Sequence, residues 1–155
     1  MSPRRIAELV RRDTPLLDQD QSVEAAVELL LGSDLPALPA VDEQQRFVGI
    51  FGEREFITAL FPGYVGSLRH AAFVPKSIDA LIEKRQGCRA EPVLKYLNTE
   101  RVNVGPDFSD VGLAEIFLHH RVLIVPVTSP ERRVVGLITR SDFFAALAES
   151  FLAHG

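Results

Sequence analysis

The chain has 155 residues, 46% of them hydrophobic and 25% charged, with a formal net charge of -4. That is material for one ordinary domain or two very small ones, and its acidic balance argues against a dedicated nucleic-acid binder, which needs a basic surface. No apolar run approaches the roughly 20 residues of a membrane-spanning helix, and the single cysteine, Cys88, cannot form an internal disulfide.

In chain order, Ser2-Pro3 opens a short lead-in helix over Ile6–Val10, proline suiting a first helical position that needs no N–H partner. Met1–Arg12 lacks the apolar stretch of a signal peptide, so a cytoplasmic protein without membrane insertion is expected. The basic cluster Arg4, Arg5, Arg11 and Arg12, broken by Glu8 and Asp13, reads as a solvated face. An apolar helix is predicted over Ser22–Leu31 with Ser22 as N-cap. Compact strands follow at Ala37–Val41 and Phe47–Phe51, joined by the polar turn Asp42–Gln45, and then a helix at Arg54–Phe61.

Residues 62–90 form a connector with turn signals at Pro62-Gly63-Tyr64 and Val74-Pro75, and a short helix at Ser77–Arg85 capped by Gly87. Cys88 reads as a free loop thiol. A packed spacer and a segment covering a cleft or partner are both open for this stretch.

The element order then repeats. Glu91-Pro92 leads Val93–Leu97, Val102-Asn103-Val104 is extended, and Ser109–His119 is an apolar helix capped by Ser109. Strands Val122–Val127 and Val134–Thr139 and a last helix, Asp142–Ala153, close the chain. Sliding the sequence by 87 positions lays residues 6–60 over 93–147, and Asp20/Asp107, Pro39/Pro126, Gly49/Gly136 and Phe56/Phe143 are among the coincidences. The predicted organisation is a first repeat at 1–61, the connector at 62–90 and a second repeat at 91–155. The fold class is α+β, with two pseudo-symmetric β-α-β-β-α units packed face to face.

Several helices are apolar beyond a single stripe, the last one through Phe143, Phe144, Leu147, Phe151 and Leu152. Such helices bury more than one side. One side would face the other repeat and another a second chain, so a homodimer through apolar helices is expected.

The segment Leu123-Ile124-Val125-Pro126-Val127, followed by Val135-Gly136-Leu137-Ile138-Thr139-Arg140-Ser141-Asp142, closely resembles the cystathionine-β-synthase (CBS) domain. In that family an apolar strand ending in Pro-Val precedes a Gly-h-x-Thr-x-x-Asp element (h apolar, x any residue). The first repeat shows Leu38-Pro39-Ala40-Val41-Asp42 and Val48-Gly49-Ile50-Phe51-Gly52-Glu53-Arg54-Glu55. The resemblance covers both repeats and omits the connector. It implies a paired regulatory module, often dimerised, whose clefts in many members bind AMP, ADP, ATP or S-adenosylmethionine and signal to a partner. The matching residues are Thr139 and Asp142, the aspartate accepting from ribose hydroxyls. In the first repeat Gly52 and Glu55 stand at those positions, a weaker second site. Some members carry a basic residue two or three positions before the proline, whereas Pro36, Ala37, Leu123 and Ile124 stand here. A triphosphate is therefore harder to satisfy than a monophosphate, a nucleoside or S-adenosylmethionine, unless Arg121, Arg133 or Arg140 compensates.

The residue chemistry stands beside the resemblance. An ionised carboxylate is an acceptor with two oxygens, suited to a vicinal diol, and a strand-to-helix junction offers free N–H groups to a phosphate. Val104, Val125, Pro126, Val127 and Ile138 are candidates for a flat adenine slot, with Arg140 near the phosphate. Thr-x-x-Asp at a helix start is equally a capping box that needs no ligand. Glu115 and His119, four apart on one helix, lack a third partner, so no metal is expected. No motif assembles an acid, a base and a nucleophile, so the expectation is a regulatory module that needs no cofactor, acting on an unidentified partner, with a ligand-free dimerisation and docking module as the alternative.

Overall fold

The computed structural model describes residues 5–61, 77–100 and 102–154. The expected start at Pro3 and the turn signals between residues 62 and 76 lie outside the described residues. The first repeat consists of β1 (Leu17–Asp18), α1 (Val23–Ser33), β2 (Ala37–Val41), β3 (Phe47–Gly52) and α2 (Glu53–Leu60). The connector contributes α3 (Ile78–Lys84), and the second repeat α4 (Asp110–His119), β4 (Ile124–Thr128), β5 (Val134–Thr139) and α5 (Arg140–Ala153).

The predicted N-caps hold because each hydroxyl satisfies an otherwise orphan helix N–H. Ser22 accepts from the Ala25 N–H at 3.1 Å and Ser109 from the Gly112 N–H at 2.9 Å. At the other end of α1, Asp34 takes a left-handed conformation (φ 60°) that stops the helix. Gly87 does not cap α3: Arg85 ends it, and a 3-10 turn at Gln86–Ala90 runs through the glycine and buries Cys88. Both lead-ins are single 3-10 turns, Ala7–Val10 and Val93–Tyr96, since four residues cannot complete a stable α-helix.

The 87-residue repeat is visible in the backbone. β1 lies parallel to β2 through Leu17 and Ala40, and Val104 makes the matching parallel bridge to Val127. β2 and β3 are antiparallel, as are β4 and β5, and each hairpin carries a register shift at the same place, Ala40/Val41 and Val127/Thr128. The turns match as well, with Gln45 at φ 64° and Arg132 at φ 68°. β2 and β4 are buried along their length, which explains their unbroken apolar runs.

The lead-ins cross over. Arg12 exchanges backbone hydrogen bonds with Leu137 of β5 (2.8 and 2.9 Å), and Asn98 exchanges them with Ile50 of β3 (3.0 and 2.9 Å). Ala7 is buried in the core of the second repeat, among Val102, Leu113 and Phe143, while Val93 is buried in that of the first, among Leu17, Leu38 and Phe51. The spatial units thus exchange their first segments relative to the sequence halves. Each crossing closes a strand edge that would otherwise stand open, and both pass over a glycine. A Cβ on Gly49 would lie 2.8 Å from the Asn98 carbonyl, and one on Gly136 3.0 Å from the Arg11 side chain. The turns interlock as well: Phe47 donates its N–H to the Arg132 carbonyl at 2.8 Å, and the Arg132 guanidinium donates to the Phe47 carbonyl at 3.0 Å.

Candidate functional site

Asp142 lies in the first turn of α5. Thr139, buried at the end of β5, accepts the Asp142 N–H at 3.0 Å and so caps the helix. Only half of the alternative capping-box reading is realised, because the Asp142 carboxylate turns to Arg12. The guanidinium donates through Nε to Oδ2 at 2.6 Å and through Nη2 to Oδ1 at 2.9 Å. This paired bond holds the Asp142 carboxyl below its ordinary value and raises Arg12. Asp34 adds to the field on Arg12 from the end of α1.

Beside this pair opens a cleft of 850 Å³ between the repeats. Thr139, Ser141 and Asp142 form one wall, Asp34, Glu53, Val27, Leu30, Phe56 and Ile57 of the first repeat the other, and Arg12 sits between them. A volume of this order accommodates a nucleoside-sized molecule.

Other candidates fall elsewhere. Val125, Val127 and Ile138 are fully buried in the core of the second repeat and Pro126 is buried in β4. Because β4 and the inner end of β5 are packed on both faces, none of them lines the cleft. Val104 borders a separate hollow of 560 Å³ beside Phe108 and Thr128, and Arg140 is exposed at the start of α5, outside the cleft lining.

At the corresponding place in the first repeat, Glu55 accepts the Gly52 N–H at 2.9 Å, so its carboxylate is turned onto its own helix. Burial pushes the Glu55 carboxyl up. The loss of a hydroxyl at position 52 has a steric reason: a Cβ there would lie 2.4 Å from that of Ala37. Among the described residues no group of three or more His, Cys, Asp or Glu could hold a metal ion.

Sequence reasoning missed Arg12. Of the basic cluster, Arg4 lies outside the described residues; Arg11 and Arg12 are solvent-exposed as expected, yet Arg5 and Arg12 also join the lead-in to the second repeat. Arg5 donates to the Pro106 and Phe108 carbonyls at 2.7 and 2.9 Å and lies 4.7 Å from the centre of the Phe108 ring. Arg11 pairs with Glu8, and Arg12 with Asp142. The only signal was the density of arginines ahead of β1, and it does not reveal that the segment crosses to the other repeat.

Solved structures share this fold. The CBS-pair protein CBSX2 from Arabidopsis thaliana superposes with a TM-score of 0.72 at 16% identity, covering 96% of each chain. A structure of CBSX2 in complex with AMP gives 0.68 at 17% identity, covering 95% of this chain and 98% of that one. The CBS-domain protein ATU1752 from Agrobacterium tumefaciens gives 0.68 at 20%, covering 92% and 90%. The family model for the CBS domain matches residues 6–62 and again 96–149. With two matches that span most of its length, on a fold of two interlocked repeats, the chain belongs to the CBS domain family as a tandem pair.

Proposed function

We propose that this CBS pair is a regulatory module, without catalytic activity of its own, that senses an adenosine-containing ligand in the cleft beside Asp142 and signals to a partner in trans. The observation that carries the reading is the capped Thr139-x-x-Asp142 element opening onto an 850 Å³ cleft between the repeats. There a carboxylate with two acceptor oxygens meets the requirement of a ribose diol. The AMP held by CBSX2 supports the choice of ligand class. Cytoplasmic action fits a single, buried, unpaired Cys88. The test is thermal unfolding with adenosine, AMP, ADP, ATP and S-adenosylmethionine, on the wild type and on Asp142→Ala. A ligand at about one hundred times its Kd should add ~2.7 kcal/mol to the wild type and much less to the variant. Equal shifts in both, or none in either, reject the reading.

A second reading, a docking module that binds no ligand, is favoured by Arg12 already holding both Asp142 oxygens and by Glu55 being turned away. Both readings include a homodimer. Leu31 and Leu118 are each 81% exposed, and Ile57 and Phe144 are 55% and 69% exposed. These are two pairs of apolar side chains at positions 87 apart, so each repeat presents the same face. Light scattering across a dilution series should return a dimer, and Leu118→Asp with Phe144→Asp should split it. A wild-type monomer at roughly tens of micromolar protein removes the dimer proposal.

A further inference from the structure

The cleft beside Asp142 carries a charge pattern that the corresponding positions of the other repeat do not. Its ionisable lining consists of one cation, Arg12, against three carboxylates, Asp34, Glu53 and Asp142. Arg12 is already engaged by both oxygens of Asp142 and feels Asp34 as well, so it is not a free cation for an incoming phosphate. A phosphate chain entering here would have to take Arg12 from Asp142 and then lie against unpaired carboxylates.

The acidity is particular to this cleft. At the positions 87 residues on from Asp34 and Glu53 stand Arg121 and Arg140. The backbone environments correspond: Glu53 donates its N–H to the Pro36 carbonyl at 3.1 Å, and Arg140 donates to the Leu123 carbonyl at 2.9 Å. The same scaffold therefore carries either sign at these places. The rest of the wall, Val27, Leu30 and Phe56, is apolar and suits a base or an alkylated centre without adding charge.

We propose that this cleft selects an uncharged or cationic adenosyl compound and turns away di- and triphosphates, with Asp34 and Glu53 as the residues that determine the choice. The proposal rests on the adenosine-ligand reading above and adds the charge class of the ligand. A sulfonium or ammonium group is drawn to the carboxylates, whereas each added phosphate charge is repelled across a partly solvated gap. The preference should therefore be largest at low salt and shrink within the screening range of physiological salt.

The experiment is titration calorimetry with adenosine, S-adenosylmethionine, AMP and ATP, without divalent cations, on the wild type, Asp34→Asn, Glu53→Gln and the double variant. Asparagine tolerates the left-handed conformation at position 34, and Glu53→Gln alone leaves that backbone untouched. The wild type should bind adenosine and S-adenosylmethionine at least about ten-fold more tightly than ATP, and the double variant should narrow that gap about five-fold. ATP binding as tightly as adenosine, or a gap the variants leave unchanged, overturns the charge selection and leaves the adenosine reading standing. If none of the four compounds binds the wild type, the reading beneath falls and this proposal with it.

Discussion

Replacing Arg12 by alanine tests the joint between the two repeats most directly. Arg12 and Asp142 make two hydrogen bonds of 2.6 and 2.9 Å, with their side chains 43% and 24% exposed. Unit charges in contact are worth about 1 kcal/mol in water and about 4 kcal/mol at the effective dielectric of a protein surface. Exposure places this pair toward the lower figure, and ordering a long side chain subtracts further. Its paired geometry keeps it at the top of the range for exposed ion pairs, so the coupling should be about 1 kcal/mol. A double-mutant cycle of Arg12→Ala, Asp142→Ala and the double variant, followed by urea unfolding, isolates that coupling. The folded-state carboxyl of Asp142 lies below its unfolded value. The contribution is therefore complete above roughly pH 4 and lost as pH falls through the folded value. If a diol ligand must also displace Arg12, the alanine variant should bind it up to about five-fold more tightly. Coupling below about 0.3 kcal/mol at low salt, or coupling that persists in strong acid, would refute the reasoning.

The glycines beneath the crossings should respond unequally. Gly49→Ala forces the Asn98 carbonyl backbone to move and should cost about 1–3 kcal/mol in urea unfolding. Gly136→Ala meets the flexible Arg11 side chain first and should cost less. Gly52→Thr, which restores the hydroxyl of the second repeat, should destabilise by about 1–3 kcal/mol, because its Cβ collides with Ala37 before any ligand can benefit. Burial raises the Glu55 carboxyl, so the folded chain holds that proton more tightly than the unfolded one. Wild-type stability should fall as pH rises from the unfolded value through the raised one, and Glu55→Gln should remove that slope in pH-dependent melts.

The elements were readable because their signals are local. Ser22 and Ser109 each supply a hydroxyl at the residue where the apolar periodicity begins, and both hairpins place polar residues between buried apolar runs. The repeat was readable because coincidences such as Pro39/Pro126 and Gly49/Gly136 recur at a single spacing, and the backbone bears it out in the matching turns at Gln45 and Arg132. The site was only half legible. Thr139 and Asp142 are neighbours in sequence, so their spacing could be recognised, whereas Arg12 reaches Asp142 from 130 residues away. Periodicity reports that a segment is amphipathic, not which repeat it will cover. Small and β-branched side chains close to the motif likewise led the adenine slot onto Val125, Val127 and Ile138. An unbroken apolar strand looks the same whether it faces a ligand or a packed core, and here it faces the core.

The exchanged lead-ins constrain how any message could travel through the molecule. Each repeat holds the other's first segment, so the two cannot swing apart like the covers of a book. That motion would first strip Arg12 from Leu137 or Asn98 from Ile50. The cheaper displacement is a slide of one unit along the other, with both straps kept fastened.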